Sequence, residues 1–184
     1  MRALEAFYGF VRRLVEGFEG AGLDYAFTGA LAASFYGVPR TTSDVDVMVA
    51  VAGEADVKAK VAAALRRAGL EVDERKLDVA LESGYNIASF RCKVSPYTVD
   101  VIFSDERLEK RAGTVAGLST FFQSPEGLVV AKLRMIKATV PRERAVKDEG
   151  DVKAVLAFAE VDVEAVKRQA RKDGTLAILE GLIE

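Results

Sequence analysis

Histidine is absent from the 184-residue sequence. This absence excludes the Ser-His-Asp and Cys-His nucleophile systems, zinc sites built on an HExxH helix, and acid-base catalysis by imidazole. Any catalysis must therefore use carboxylates, lysine, arginine, tyrosine, hydroxyl groups or a metal ion. The sequence also contains neither a GxxxxGK[ST] loop nor a GxGxxG turn, so the phosphate-loop and dinucleotide-binding classes lack their fingerprints.

Cysteine is nearly absent, since Cys92 stands alone. A single thiol permits no internal disulfide, which fits a reducing compartment. No run of about 18 uninterrupted apolar residues occurs, and Met1-Arg2 leads into an amphipathic helix pattern rather than a signal-peptide core. We therefore expect a cytoplasmic protein with no membrane partner.

Side-chain amides are also scarce, with one asparagine and two glutamines beside 29% charged residues. That composition is typical of proteins from hot environments, so we expect a thermophilic source. The net charge of −2 excludes a strongly basic nucleic-acid coat protein. With 50% hydrophobic residues, the chain is long enough for one sizeable core.

Hydrophobic periodicity predicts an α/β half followed by an α-helical half. After Gly117, the helix-start signal Ser124-Pro125-Glu126 introduces helix patterns that continue to the C-terminus, with breaks near Pro141, Val161 and Gly174. In the first half, the patterns predict helices over 3–19, 30–36 and 54–68, and strands over 23–27, 44–51 and 97–103. The stretch 70–91 predicts a strand, then a helix around 77–81, then a second strand near 87–90.

Two carboxylates, those of Asp44 and Asp46, lie on one face of the predicted strand 44–51. Side chains alternate along a strand, so Val45 and Val47 point to the opposite, buried face. Neighbouring like charges repel, and aspartate is a poor strand former. The pair therefore predicts a bound cation, although two solvated residues at the end of a strand would give the same pattern.

A third carboxylate, Asp100, interrupts the predicted strand 97–103. Tyr97, Val99 and Val101 lie on the apolar face of this strand, and Asp100 lies on the opposite face. An ion pair with Arg40 or Lys132 is an alternative to a catalytic role, because such pairs also form without function.

Two charges lie on apolar faces of the C-terminal helices. Lys132 falls on the same stripe as Leu128 and Met135, and Asp148 is at helical spacing before Val152. Charged residues at such positions commonly extend to water at the boundary of a core. Together they predict a polar cleft where the helices meet the sheet.

These features together resemble the nucleotidyltransferase superfamily that includes polymerase-beta-like enzymes. The resemblance rests on the turn Gly29-Ala30, the stretch from Arg40 to Asp46, and the later strand bearing Asp100. It covers about the whole chain. The phrases YGVPRTTSDVDV, SPEGLVVAKL and KDEGDVKAVL resemble more narrowly the minimal AbiEii-type branch, some of whose members are toxins of toxin-antitoxin systems.

The resemblance implies an α+β fold: a small mixed β-sheet with flanking helices, followed by a C-terminal helical region. The corresponding domains are a nucleotidyltransferase-like core at 1–117 and a helical region at 118–184. It also implies a transferase that moves a nucleoside monophosphate from a nucleoside triphosphate to a hydroxyl of RNA, protein or a small molecule. A cognate antitoxin is a further expected partner.

In that family two strand carboxylates bind Mg²⁺ (or Mn²⁺) that also contacts the triphosphate. Here they are Asp44 and Asp46, and Asp100 helps a metal to activate the attacking hydroxyl. The resemblance thus makes Asp44, Asp46 and Asp100 catalytic residues and metal ligands. The nucleotide-binding residues that it implies are Thr28, Gly29, Ala30, Arg40, Ser43, Lys132 and Asp148.

One position departs from the family pattern. The family usually has Gly-Ser or Gly-Gly at the turn, where this chain has Gly29-Ala30. Alanine keeps the backbone N–H that contacts phosphate but lacks the serine hydroxyl. The sequence therefore leaves two functions open: an active nucleotidyltransferase, or a non-catalytic relative that binds a nucleotide or a partner protein.

Overall fold

A computed structural model describes residues 2–37 and 39–184 of the chain, and Val38 of the YGVPRTTSDVDV phrase lies outside it. The chain forms two compact units. The first unit comprises residues up to Thr28 together with Thr42–Phe122, and the second comprises Gly29–Thr41 together with Gln123–Glu184.

Helices and strands alternate in the first part of the chain, and helices alone follow. In order, the elements are α1 Arg2–Gly20, β1 Tyr25–Thr28, α2 Gly29–Tyr36, β2 Asp44–Ala50, α3 Val57–Arg67, α4 Glu74–Glu82, β3 Ile87–Arg91, β4 Thr98–Ser104, β5 Lys110–Val115, β6 Leu118–Gln123, α5 Pro125–Ala138, a 3-10 helix Arg142–Ala145, α6 Val146–Phe158, α7 Val163–Asp173 and α8 Leu176–Ile183.

The first unit is built on a mixed six-stranded sheet with the strand order β3-β4-β2-β1-β6-β5. The central strands β2 and β4 are parallel, as are β1 and β6, whereas β1 with β2 and β3 with β4 are antiparallel. This arrangement confirms the predicted α+β class with a small mixed sheet.

One face of this sheet is apolar because valines occupy alternate positions of its central strands. Val45, Val47 and Val49 of β2 are fully buried, and so are Val99 and Val101 of β4. The alternation predicted for both strands is therefore confirmed. The side chains on the opposite face include Asp44 and Asp46 of β2 and Thr98 and Asp100 of β4.

Helix α1 contributes an apolar stripe to the core of the first unit. Its buried side chains recur at three- and four-residue steps, as an amphipathic helix requires. Gly17 lies where α1 packs on α3, and a Cβ there would be 2.8 Å from the backbone oxygen of Ala64. The buried stripe consists of Phe10, Val11, Leu14, Val15 and Phe18.

Strands β5 and β6 were not predicted from the sequence. They form a hairpin closed by Ala116 and Gly117, both with positive φ (52° and 76°), which suits a two-residue primed turn. Because β5 has polar and glycine residues and no strict alternation, its pattern indicates no strand. The prediction of only helical structure after Gly117 was therefore wrong for Leu118–Gln123.

The second unit is helical. Ser124 caps α5 by accepting a hydrogen bond from the backbone N–H of Gly127 at 3.1 Å, and Pro125 occupies the first turn. Helix ends fall near Pro141, Val161 and Gly174, as predicted. None of the helices in the described part of the chain is long and apolar enough to cross a bilayer.

Candidate functional site

Two of the predicted catalytic carboxylates are direct neighbours across the sheet. Asp46 of β2 is in register with Asp100 of β4, and adjacent strands lie about 4.8 Å apart. The same row continues to Thr28 on β1 and Ser89 on β3. The parallel pairing of β2 and β4 thus brings together two residues that are far apart in the sequence.

The third predicted carboxylate, Asp44, lies in the next row toward the start of β2. Its register partner is Thr98, and that row continues to Arg91 on β3. Thr98 donates a hydrogen bond from Oγ1 to Oδ1 of Asp44 at 2.6 Å. The Ser43 hydroxyl lies 3.2 Å from the same oxygen. Ser43, predicted to bind nucleotide, therefore contacts Asp44 in this structure.

Asp100 is half-buried in the middle of β4. Among the described residues of the first unit, its side chain forms no ion pair and accepts no hydrogen bond. A carboxylate that is partly removed from water without a partner destabilises the folded protein. Such a residue in mid-strand, beside a second aspartate, is a strong candidate for a functional group.

An open cleft of about 790 Å³ in the first unit is bordered by Asp44 and Asp100, whereas Asp46 is not among the described residues that line it. Its wall on α4 begins at Asp73, which caps the helix by accepting a hydrogen bond from Arg75 N–H at 3.1 Å. The side-chain hydrogen bond from Arg75 lowers the pKa of Asp73. The cleft is lined by Asp44, Glu71, Val72, Asp73, Lys76, Ser89, Phe90, Arg91, Thr98 and Asp100.

The donor chemistry of this face suits a hard divalent cation. Mg²⁺ prefers oxygen ligands and is commonly held by one or two carboxylates, completed by water and phosphate oxygens. Asp46 and Asp100 supply carboxylates on adjacent strands, with Asp44 in the next row. Among the described residues, no three Asp, Glu or Cys side chains converge as a metal site made of protein ligands alone.

The predicted glycine turn is a direct strand-to-helix junction. Thr28 is the last residue of β1, and α2 begins at the next residue, Gly29, whose φ is +58°. That left-handed conformation favours glycine because it has no Cβ. The next residue, Ala30, is buried in the first turn of α2. Its backbone N–H is one of those that an α-helix leaves without an internal partner.

Within the second unit, the predicted nucleotide-binding residues Arg40, Lys132 and Asp148 belong to one ion-pair network with Asp151. Lys132 is only 4% exposed, and its Nζ lies 2.7 Å from Asp148 Oδ1 and 2.8 Å from Asp151 Oδ2. Arg40 donates Nε and Nη2 to the two oxygens of Asp151, both at 3.0 Å. The buried charge of Lys132 is therefore compensated by two carboxylates of α6.

Sequence reasoning missed Thr98, Ser89, Arg91 and Asp151. For Thr98 the available signal was its position two residues before Asp100, on the same strand face. Asp151 follows Asp148 by three residues, which places both on one side of α6. Neither signal identifies the partner, because the partners are distant in sequence.

Comparison with known proteins gives matches at the level of structure only. No known family's sequence profile matches the chain, and no curated protein matches it significantly. The solution structure of the antibiotic-resistance factor ANT(2'')-Ia has a TM-score of 0.69 and 15% identity, and the match covers 96% of each chain.

Two further solved structures are similar. The crystal structure of ANT(2'')-Ia in complex with adenylyl-2''-tobramycin has a TM-score of 0.67 and 13% identity, with 92% of this chain and 98% of that chain covered. An antigenic nucleotidyltransferase-like protein from Paracoccidioides brasiliensis has a TM-score of 0.62 and 14% identity, covering 95% of this chain and 91% of that chain. Over nearly its full length, the chain has the fold of these proteins.

Proposed function

We propose that this protein is a metal-dependent nucleotidyltransferase that transfers a nucleoside monophosphate from a nucleoside triphosphate to a hydroxyl group. The observation that supports this proposal most directly is the pairing of Asp46 with Asp100 on adjacent strands, with Asp44 in the next row. The shared fold with nucleotidyltransferase structures is consistent with it.

The electrostatics of the carboxylate rows favour a cation. Two aspartates side by side repel each other, and Asp100 has no compensating partner among the described residues of its unit. A divalent cation accompanied by triphosphate would supply the missing positive charge. Binding of the metal and nucleotide together would therefore compensate the charge of Asp100.

In the proposed reaction, Asp44 and Asp46 would hold Mg²⁺ or Mn²⁺, and Asp100 acts on the acceptor hydroxyl. When bound, such a metal would neutralise phosphate charge and stabilise the leaving oxygen. The hydroxyl oxygen forms a bond to the α-phosphorus while the bond between that phosphorus and pyrophosphate breaks. The hydroxyl proton passes to a carboxylate oxygen of Asp100, and pyrophosphate departs.

The strand-to-helix junction is the proposed phosphate-binding turn. Free backbone N–H groups at the start of an α-helix bind anions, and the helix dipole adds to that attraction. Gly29 and Ala30 would contribute such groups. Thr28 and Ser43 are proposed neighbours of the bound phosphates. The contact with Ala30 would use the backbone alone, since alanine has no hydroxyl.

Arg40 and Lys132 are proposed to hold the triphosphate charge only after rearrangement of their contacts with Asp148 and Asp151. Arg40 and Lys132 are already neutralised by Asp148 and Asp151. Phosphate must therefore replace one of these carboxylates. Asp148 is the weaker competitor because it binds Lys132 alone and its side chain is 18% exposed, against 8% for Asp151.

The acceptor and biological setting are part of the proposal. The AbiEii-type phrases favour a toxin of a toxin-antitoxin pair, with RNA or protein as the acceptor and a cognate antitoxin as partner. The neighbour ANT(2'')-Ia was solved with an adenylylated aminoglycoside, which adds a small-molecule hydroxyl as a class to test.

The proposal is tested by following label from each of four α-labelled nucleoside triphosphates, with Mg²⁺ or Mn²⁺. The acceptors are the protein itself, a total RNA pool and tobramycin. We expect transfer from at least one triphosphate, and its loss in the Asp46→Asn variant. Asp105→Asn is the matched control, since Asp105 is exposed beyond the end of β4 and should leave transfer unchanged.

A second function is favoured by the alanine at the turn. If no label moves but a calorimetric titration shows Mg²⁺-dependent triphosphate binding that is weakened by Asp46→Asn, the chain is a non-catalytic nucleotide-binding relative. If it neither transfers label nor binds any of the four triphosphates, both functions are excluded and the carboxylates are structural.

A further inference from the structure

The carboxylate of Asp44 has one oxygen fully engaged within the protein. Thr98 Oγ1 donates to Oδ1 at 2.6 Å, a length typical of a hydroxyl bonded to an ionised carboxylate. Ser43 Oγ lies 3.2 Å from the same atom. No hydrogen bond reaches Oδ2 from the described residues of the first unit. The two oxygens of one carboxylate therefore have different environments.

The two hydroxyls differ in how firmly they are held. Thr98 is in β4, in register with Asp44 on the adjacent parallel strand, and a threonine side chain in a strand has restricted χ1 rotation. Ser43 precedes β2, is exposed, and makes the longer contact. Thr98 is therefore the partner that fixes the orientation of the carboxylate.

We propose that Thr98 is a positioning residue: by holding Oδ1 of Asp44, it presents Oδ2 to the divalent cation that accompanies the nucleotide. This inference rests on the proposed function. Groups that orient the ligands of a metal commonly change its affinity about 10- to 100-fold when they are removed. Thr98 itself contacts neither the cation nor the phosphate in this assignment.

The test compares Thr98→Val with Thr98→Ser. Valine keeps the β-branched shape and strand preference of threonine but has no hydroxyl, whereas serine restores the hydroxyl. Thr114→Val is the matched control, because Thr114 is an exposed threonine in β5. Thermal unfolding of all variants shows whether they remain folded at the temperature of the binding measurement.

Binding of Mn²⁺ is measured by electron paramagnetic resonance, with each of the four nucleoside triphosphates present in turn. We expect Thr98→Val to weaken Mn²⁺ binding by roughly 10-fold or more, while Thr98→Ser and Thr114→Val stay near the wild type. In a transfer assay, the Thr98→Val defect should be seen mainly as a higher Mn²⁺ concentration for half-maximal rate.

Two results would overturn the inference while leaving the proposed function intact. One is wild-type Mn²⁺ affinity in Thr98→Val, and the other is an equal defect in Thr98→Ser and Thr98→Val, which would indicate a packing role. If the wild-type chain binds no Mn²⁺ with any triphosphate, the proposed function itself fails, and the role of Thr98 fails with it.

Discussion

The guanidinium of Arg40 binds both carboxylate oxygens of Asp151, each at 3.0 Å, and Asp151 also binds Lys132. Two cations thus share one buried carboxylate. Removing one member of a buried network leaves the others without compensation, which costs more than the network contributes when complete. Asp151 is therefore a residue on which the second unit depends.

Asp151→Asn should destabilise the protein by about 3 to 5 kcal/mol, because it removes the carboxylate that neutralises Arg40 and that shares Lys132 with Asp148. Glu149→Gln on the same helix is the control. Glu149 pairs with a largely exposed Arg142 and should cost at most about 1 kcal/mol. Urea denaturation measures both changes, and equal values for the two variants would contradict the prediction.

Gly17→Ala should destabilise the first unit by about 1 to 3 kcal/mol, because the new Cβ would lie 2.8 Å from the Ala64 backbone oxygen and force α1 away from α3. Gly9→Ala in the same helix should have the opposite effect on stability, because there is room for a Cβ at Gly9. The nearest atom to its Cβ is an Arg13 side-chain nitrogen at 3.9 Å, so this change should stabilise by about 0.5 to 1 kcal/mol. The same sign of change for both variants, measured by chemical denaturation, would be inconsistent with this packing.

Ala116→Asn should stabilise the β5–β6 hairpin by about 1 kcal/mol. Ala116 has φ of 52°, a conformation that costs an ordinary residue about 1 to 2 kcal/mol and that asparagine tolerates better. In contrast, Ala112→Asn within β5 should be neutral or slightly destabilising, because asparagine is a poor strand residue. The thermal midpoint of each variant checks the prediction, which fails if Ala116→Asn lowers it.

Asp173 should make stability depend on pH in the acid range. Its carboxylate accepts hydrogen bonds from Arg134 at 2.7 Å and Gln169 at 3.0 Å, and the Arg134 bond lowers its pKa. Because the folded pKa is below the unfolded value of about 3.9, the stabilisation is complete above that value and is lost as the pH falls through the folded pKa.

Asp173→Asn should therefore cost up to about 1 kcal/mol at pH 7, and the difference from wild type should shrink as the pH falls below the unfolded pKa of about 3.9. Urea denaturation at several pH values measures this difference. The exposed Asp105→Asn, whose side chain forms no ion pair with described residues, serves as the control. A difference that persists unchanged at low pH would show that the carboxylate charge is not its source.

The sheet could be predicted where residue alternation was strict. Val45 and Val47 in β2, and Val99 and Val101 in β4, indicate one buried face without any knowledge of the partner strand. The β5–β6 hairpin could not be predicted because its stability depends on neighbouring strands and not on its own pattern, and an Ala-Gly turn is a weaker hairpin signal than Asn-Gly.

The carboxylates of the candidate site were visible in the sequence because aspartate is rare inside apolar strands. The residues that these side chains contact could not be identified from the sequence. Thr98 meets Asp44 across 54 residues and Arg40 meets Asp151 across 111, so both contacts depend on strand register or helix packing. Alternation gives the face on which a residue lies, whereas the neighbour on that face is known only from the fold.

The segment Gly29–Thr41 lies between two strands of the first unit but belongs to the second, where α2 packs on α5 and α6. The chain therefore passes from one unit to the other three times. A shortened protein ending at Phe122 would retain this segment without the helices that it packs against. Exchanging only the C-terminal helices between relatives would therefore separate them from the α2 segment on which they pack. A functional chimera must carry Gly29–Thr41 and Gln123–Glu184 from the same parent.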